Sequence, residues 1–370
     1  MSPHSDKGVS ILGPGLLLTV LGVVWAMPVH AQPEFPPAAV WHQDISQAGV
    51  HPQSASMLST LAGLGGWGNG NRFQIDFSLH YYPDADNSVP MIPVSTHSDW
   101  GIYYDPDCEP LGTPMPVPAD AAFEGQAGLS CDNANSDCHL LVRQGDLLYE
   151  LYAGNLDNGV LDAACLAVWN LNVVYPPEGR GEHCTSADAA GFPIAPLLVH
   201  PDEIADRLDQ PDSDLGHAIR FILPNARMAS DASLGGVAGR LYVRPASHAG
   251  GPSGPVGSVP YGARLRLKAE FDMSGYSPAA RVILRTMQRY GIVLADGGNI
   301  ALTFASDRHS QTSWADLGLG PHVFWDNPTP VEVEDFEVLD TGERIAETYE
   351  CVRSAIIPFD GVFFDRFESK

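Results

Sequence analysis

Phe73-Gln74-Ile75-Asp76-Phe77-Ser78-Leu79-His80 alternates apolar and polar side chains without a break. Successive side chains of a strand point to opposite faces, so Phe73, Ile75, Phe77 and Leu79 share one face while Gln74, Asp76, Ser78 and His80 share the other. This is the pattern of a half-buried strand. Residues 139–143 and 146–152 flank Gln144-Gly145, a two-residue turn whose glycine accepts positive φ, and predict an antiparallel hairpin. It sets Leu148, Glu150 and Tyr152 on one side and Leu147, Tyr149 and Leu151 on the other. Further strands are predicted at 166–175, 218–223, 240–243 and 264–271, and a last hairpin pairs 292–295 with 300–305 across Asp296-Gly297-Gly298-Asn299.

Helical signals are fewer. Residues 278–290 have Ser277 as cap, Pro278 in the first turn and Gly291 as stop, with Val282, Ile283, Thr286, Met287 and Tyr290 on one face and Arg281, Arg285 and Arg289 on the other. A shorter helix is predicted from Pro201 to Leu208. Many short strands with one or two packed helices define a mainly β fold, a single-domain β-sandwich or jelly roll with long loops. The Gly/Pro-rich stretch 250–257 has strand signals on both sides and reads as a surface loop within that domain.

The composition agrees. Gly (37) and Pro (31) are abundant in the 370 residues, which favours turns between short elements and disfavours a helical bundle. With 45 acidic and 20 basic residues the formal charge is −25, so the net-acidic surface should repel nucleic acid, whose binding is driven by Lys and Arg displacing counterions, and no nucleic-acid partner is expected. The charge is uneven. From Arg220 to Arg289 there are ten cations and three acids, a net of +7, which leaves −32 for the remainder.

Lys7, an apolar run over 11–27 and Val29-His30-Ala31 carry the charged, apolar and small-residue regions of a secretory signal peptide, residues 1–31. The expected order is then a mature extension, 32–39, the β-rich domain, 40–355, and a tail, 356–370, with no membrane span after cleavage. Cys108, Cys131, Cys138, Cys165, Cys184 and Cys351 all fall in the exported part and read as up to three disulfides. Cys131 with Cys138 is the most local pairing; Cys165 with Cys184 is next and would leave Cys108 with Cys351. The lack of a Cys-x-x-Cys knuckle argues against zinc.

Gly63-Leu64-Gly65-Gly66-Trp67-Gly68 has the spacing of a dinucleotide-binding loop, but that chemistry needs a strand before and a helix after, and here a strand follows. The expected reading is a tight loop without cofactor. Asp132, Asn133, Asn135 and Asp137 offer alternate oxygen ligands for calcium, yet the glycine and distal Glu of the twelve-residue pattern are missing. No metal or other cofactor is therefore assigned.

Glu150 is the first catalytic candidate, since flanking aromatic bulk from Tyr149 and Tyr152 would raise its pKa and make it a general acid. Asp76 and His80, on one polar strand face, are the next. Two carboxylates facing each other across a groove suit glycoside hydrolysis. In Tyr261-Gly262-Ala263-Arg264-Leu265-Arg266-Leu267-Lys268 the three cations fall on one face, with Leu265 and Leu267 toward the core. Arg264, Arg266 and Lys268 are candidates for binding an acidic sugar, and beside a Tyr or His they would suit elimination from a uronate; pairing with acids of the same chain is the competing reading. Sugar rings stack on exposed aromatic faces, which makes Trp67 and Tyr152 binding candidates alongside Trp100, Trp169, Trp314, Trp325, Tyr81, Tyr82, Tyr103 and Tyr104. His217 lies on the same strand side as Ile219 and Phe221 and reads as a core histidine.

Four segments resemble a group of uncharacterised exported bacterial proteins: Thr185-Ser186-Ala187-Asp188-Ala189-Ala190-Gly191-Phe192-Pro193-Ile194, Gly216-His217-Ala218-Ile219-Arg220-Phe221, the basic strand above, and Tyr290-Gly291-Ile292-Val293-Leu294-Ala295-Asp296. The resemblance implies export and a shared fold, carries no activity, and adds Asp188, His217 and Asp296 to the candidates. Phe363-Phe364-Asp365-Arg366-Phe367-Glu368-Ser369 resembles the short C-terminal tails of proteins exported by certain Gram-negative bacteria, which implies a secreted, periplasmic or cell-surface location. The expectation is an exported carbohydrate-active protein acting on a polysaccharide or oligosaccharide, hydrolase first. The alternatives are a non-catalytic glycan-binding or surface protein and a polyuronate lyase.

Overall fold

The computed structural model describes Met1 and residues 35–132 and 136–354; the expected signal peptide and C-terminal tail lie outside these. Apart from Met1, the described residues belong to one compact unit, Ala31–Lys370. The fold is mainly β, with several sheets and few helices. Among the described residues no helix is long and apolar enough to cross a membrane.

The largest sheet has six strands in the order Ile75–Leu79, Leu302–Ala305, Ile219–Leu223, Ile292–Gly297, Arg264–Leu267 and Phe336–Val338. Ile219–Leu223 and Ile292–Gly297 run parallel at its centre, and Ile75–Leu79 is parallel to Leu302–Ala305. Centrality explains the unbroken apolar run Ile292-Val293-Leu294-Ala295, because a strand covered on both faces has no solvent side to make polar. It also overturns the expected hairpin across residues 296–299. Ile219–Leu223 inserts between the two runs, so Ile292–Gly297 and Leu302–Ala305 are not neighbours. In the opening strand Phe73, Ile75 and Leu79 are buried, as the alternation requires. The helix Pro278–Arg289 packs beside Arg264–Leu267 and begins where Ser277 Oγ accepts from the Ala280 N–H.

Two four-stranded sheets accompany the six-stranded one. One contains Tyr81–Tyr82, Leu140–Gln144, Leu147–Tyr152 and Cys165–Asn170; the other contains Pro114–Pro116, Met91–Thr96, Val160–Ala163 and Asn155–Asp157. A hairpin forms here, but its two-residue turn is Gly145-Asp146 and not the expected Gln144-Gly145: Gln144 pairs with Leu147, which sets Leu141 opposite Glu150 and Val142 opposite Tyr149. Leu140, Val142, Tyr149, Leu151, Leu166 and Val168 face the small core shared with Val94, Met115 and Leu161. Leu141, Leu148 and Trp169 face the main core. The hairpin is therefore buried on both sides, and no face of it is left for solvent. Several expected elements are shorter than their sequence signals: the 166–175 strand stops at Asn170, the 264–271 strand at Leu267, the 240–243 strand is Leu241–Tyr242, and the second helix spans Pro201–Ala205.

The basic segment turns inward. Arg264 is buried and donates to the Tyr290, Val40 and Gln43 carbonyls at 2.8, 3.0 and 3.2 Å. Arg266 donates to the Ile45, Ser46 and Ala48 carbonyls and pairs with Glu337 at 2.7 Å, and Lys268 reaches the Glu334 carbonyl at 2.7 Å. The two arginines fasten residues 40–48 to this strand, while Lys268 ties it to the segment around Glu334. All ten cations between Arg220 and Arg289 have partners within the chain, including Asp188 for Arg220, Glu182 for Arg244, and Asp44 and Asp214 for Arg289.

Three disulfides join Cys108 to Cys165, Cys131 to Cys138 and Cys184 to Cys351. The local pair is as expected, while the other two correct the expected Cys165–Cys184 and Cys108–Cys351 partners. Chain proximity does not decide them: strand pairing of Gly181–Glu182 with Val352–Arg353 brings Cys184 to Cys351. Peptide mapping without reduction should recover these three linked pairs. Replacing both Cys184 and Cys351 by Ser should lower unfolding free energy by about 2–5 kcal/mol in urea titrations, since that bridge closes a long loop.

Candidate functional site

Folding brings three of the four singled-out segments around one cleft of ≈ 640 Å³. Its walls include Tyr103, Tyr104, Tyr152, Tyr261, Tyr349 and His248, and its carboxyl groups are Asp105, Asp107, Asp137 and Asp296. The two central parallel strands end here: Asn225 follows the strand Ile219–Leu223, and Asp296-Gly297 closes the strand Ile292–Gly297. Thr185, Ser186, Ala187 and Ala189 supply another wall. The loop that carries them is held by Ser186 Oγ, which donates to the Phe192 carbonyl at 2.6 Å, and by the Ala190 N–H, which donates to the Ala295 carbonyl at 2.9 Å. At Gly250 a Cβ would stand 2.9 Å from Tyr261 Oη, so glycine there lets the loop lie against the phenol.

Beneath the cleft lies a charged layer. Arg220 donates through Nη2 and Nε to Asp188 Oδ2 at 2.7 and 3.1 Å and through Nη1 to Thr303 Oγ1, and Asp188 Oδ1 accepts from the Ala190 N–H at 3.1 Å. His139 hydrogen-bonds Glu124 at 2.6 Å and the Ala187 carbonyl at 2.9 Å. Burial opposes its charge, but Glu124 overrides burial and lifts the His139 pKa to about 9, so both ring nitrogens donate. Desolvation pushes the Asp296 carboxyl up to about 7, with Asp188 adding to the shift and Arg220 opposing it. His248 is driven the other way by burial, to about 4, and stays neutral with Nδ1 against the Ala189 carbonyl at 2.7 Å.

The sequence candidates separate on this frame. Tyr152 lines the cleft, and Asp188 lies directly under it as the partner of Arg220. Asp76 and His80 sit at the side of the charged layer. Asp76 accepts from the Ser78 N–H and Oγ, and burial raises its pKa; His80 Nδ1 contacts Ser306 Oγ at 2.7 Å. Neither is among the described lining residues. Trp67 is fully buried and donates from Nε1 to the Val331 carbonyl, so it offers no face for stacking; Arg227 closes its glycine loop by donating to the Gly65, Gly66 and Trp67 carbonyls. His217 is buried against Glu203 at 3.3 Å and the Ala218 carbonyl at 2.8 Å, away from the cleft. Arg264 borders a second, more apolar hollow, but its three donor nitrogens are all given to main-chain carbonyls.

Glu150 lies at full burial in the main core. Its carboxyl accepts from the Ile194 and Ala195 N–H groups at 2.8 Å each and from Trp169 Nε1 at 3.0 Å, and desolvation raises its pKa to about 7. The raised pKa was foreseeable; its use is to pin the 194–195 turn onto the hairpin. Asp137, by contrast, entered the sequence reading only as a calcium ligand, and Asp296 only through a resemblance. A carboxylate closing an apolar strand was the signal for Asp296. Asp107, Cys184 and Cys351 come close together, but both sulfurs are in the disulfide and leave no thiolate for a metal. Of the calcium candidates, Asn133 and Asn135 lie outside the described residues.

Searches of protein-family models, curated proteins and solved structures give no match to this chain.

Glu150→Gln should cost about 1–3 kcal/mol in urea unfolding, because one buried N–H is then left facing an amide donor. Ligand binding in the cleft should be unchanged per folded molecule; a loss of cleft function at full folding would place Glu150 in the site.

Proposed function

We propose that the protein is an exported carbohydrate-active protein whose tyrosine-walled cleft cleaves a glycosidic bond, with Asp296 as general acid and Asp137 as the paired carboxylate. The observation that carries this reading is that both carboxyl groups open on one cleft flanked by tyrosine rings, and that desolvation pushes the Asp296 carboxyl up to about 7, where it can hold its proton near neutral pH. Sugar rings present C–H faces that pack on phenol rings, and their hydroxyls meet the phenol oxygens and Asn225. Asp296 would donate its proton to the glycosidic oxygen as the C–O bond breaks. Asp137 would take the opposite role at the anomeric carbon, either as nucleophile or by deprotonating the attacking water.

The three disulfides support export, because such bridges persist in oxidising compartments. A second reading, glycan binding without cleavage, is favoured by Trp100, Tyr104 and Tyr349, each over a third exposed around the same opening. The uronate-lyase alternative required Arg264, Arg266 or Lys268 at the site, and none of them lines this cleft.

A panel of polysaccharides assayed for new reducing ends tests the proposal. Asp296→Asn should lower kcat by about 10²- to 10⁴-fold with the fold retained. Since the acid must carry its proton, wild-type turnover should decline as pH rises through about 7. Undiminished turnover in Asp296→Asn would remove it as the acid. Binding without turnover would leave the glycan-binding reading, and neither binding nor turnover on any glycan would end the carbohydrate reading.

A further inference from the structure

The cleft has a pronounced charge asymmetry. Four of its described lining residues carry carboxyl groups, Asp105, Asp107, Asp137 and Asp296, and one carries a permanent positive charge, Arg240. Arg240 is already engaged: Nη1 donates to Tyr349 Oη, and the guanidinium lies 5.3 Å from the centre of the Tyr349 ring. His248 is neutral at the same wall. An incoming carboxylate or sulfate would therefore meet like charges and find no free guanidinium or ammonium to receive it, and juxtaposed like charges act against binding. A protonated amine meets the reverse situation. It finds carboxylates at the rim and tyrosine faces, which attract cations through the ring quadrupole.

We propose that the cleft selects glycans bearing free amino groups, chains of 2-amino-2-deoxy sugars, over neutral, N-acylated or acidic chains. The inference rests on the glycan reading above and deepens it. Asp105 is exposed at the rim and Asp137 is exposed on the wall, so an ammonium group can approach both without opening the fold. Asp107 is less available, since its Oδ2 accepts from the Thr185 N–H at 2.8 Å. Selection thus falls chiefly to Asp105 and Asp137, with the tyrosines holding the ring faces that all such sugars share.

Calorimetric titration of the intact, disulfide-bonded chain with four tetrasaccharides tests this: the glucosamine, N-acetylglucosamine, glucose and galacturonate oligomers, at a pH where the amine is protonated. The glucosamine oligomer should bind at least about tenfold more tightly than its N-acetylated counterpart, which corresponds to about 1.4 kcal/mol. That advantage should shrink as salt is raised. Asp105→Asn should cut the preference about threefold and leave the affinity for the glucose oligomer unchanged, which a mere folding defect would not do. Equal affinities, or a preference for the acetylated, neutral or acidic oligomer, would overturn the amino-sugar inference while leaving the glycan reading standing. Failure of all four to bind would overturn both.

Discussion

The ion pair of Arg220 with Asp188 is the contact on which the architecture around the cleft depends. Arg220 projects from the central parallel strand Ile219–Leu223, Asp188 from the loop that walls the cleft, and Thr303 from the next strand of the same sheet. One guanidinium therefore holds three separate segments in register. Both partners are buried, and a buried pair is costly to break because the remaining charge has no solvent to turn to, about 3–5 kcal/mol in comparable cases. The same pair tunes Asp296, whose carboxyl feels the acid and the base of the pair in opposite directions. Structure and site chemistry are coupled through one contact.

The arginines elsewhere follow a similar logic with neutral partners. Arg264, Arg266, Arg227, Arg281 and Arg285 each donate to main-chain carbonyls of other segments. A fork of fixed N–H groups suits this task better than a lysine's single ammonium, which fits the near absence of lysine. The donors of the cations in residues 220–289 are engaged within the chain, four of these cations by acids and most of the rest by main-chain carbonyls. The described lining of the cleft carries four aspartates and one arginine.

Most individual strands, the 278–290 helix and the existence of a hairpin near Gly145 were legible in the sequence, because alternation, caps and turn residues are local signals, but the turn lies at Gly145-Asp146, one residue beyond the expected Gln144-Gly145. Pairing was legible only where the partner was the next segment along the chain. The expected 292–305 hairpin failed because the best partner for Ile292–Gly297 lay some seventy positions earlier, in Ile219–Leu223, and nothing local records that. Cys184 failed in the same way, its partner being set by an edge strand more than 160 residues away. Glu150 does carry a raised pKa but lies in the core outside the cleft: that signal marks burial, and burial is shared by structural and reactive carboxyls. Asp137 is exposed, and its sequence context offers it only as a metal-ligand candidate.

By itself the sequence determined a mainly β molecule, stapled by disulfides among six cysteines, with a basic block in an acidic chain, since composition and short-range periodicity suffice for those features. The tertiary structure alone decided which strands pair, which cysteines join, and that the arginine stripe points inward while tyrosines and aspartates gather at the ends of two parallel strands. Those outcomes depend on contacts between residues far apart in the chain, where the balance of burial against unpaired charge is settled only when all the segments are in place.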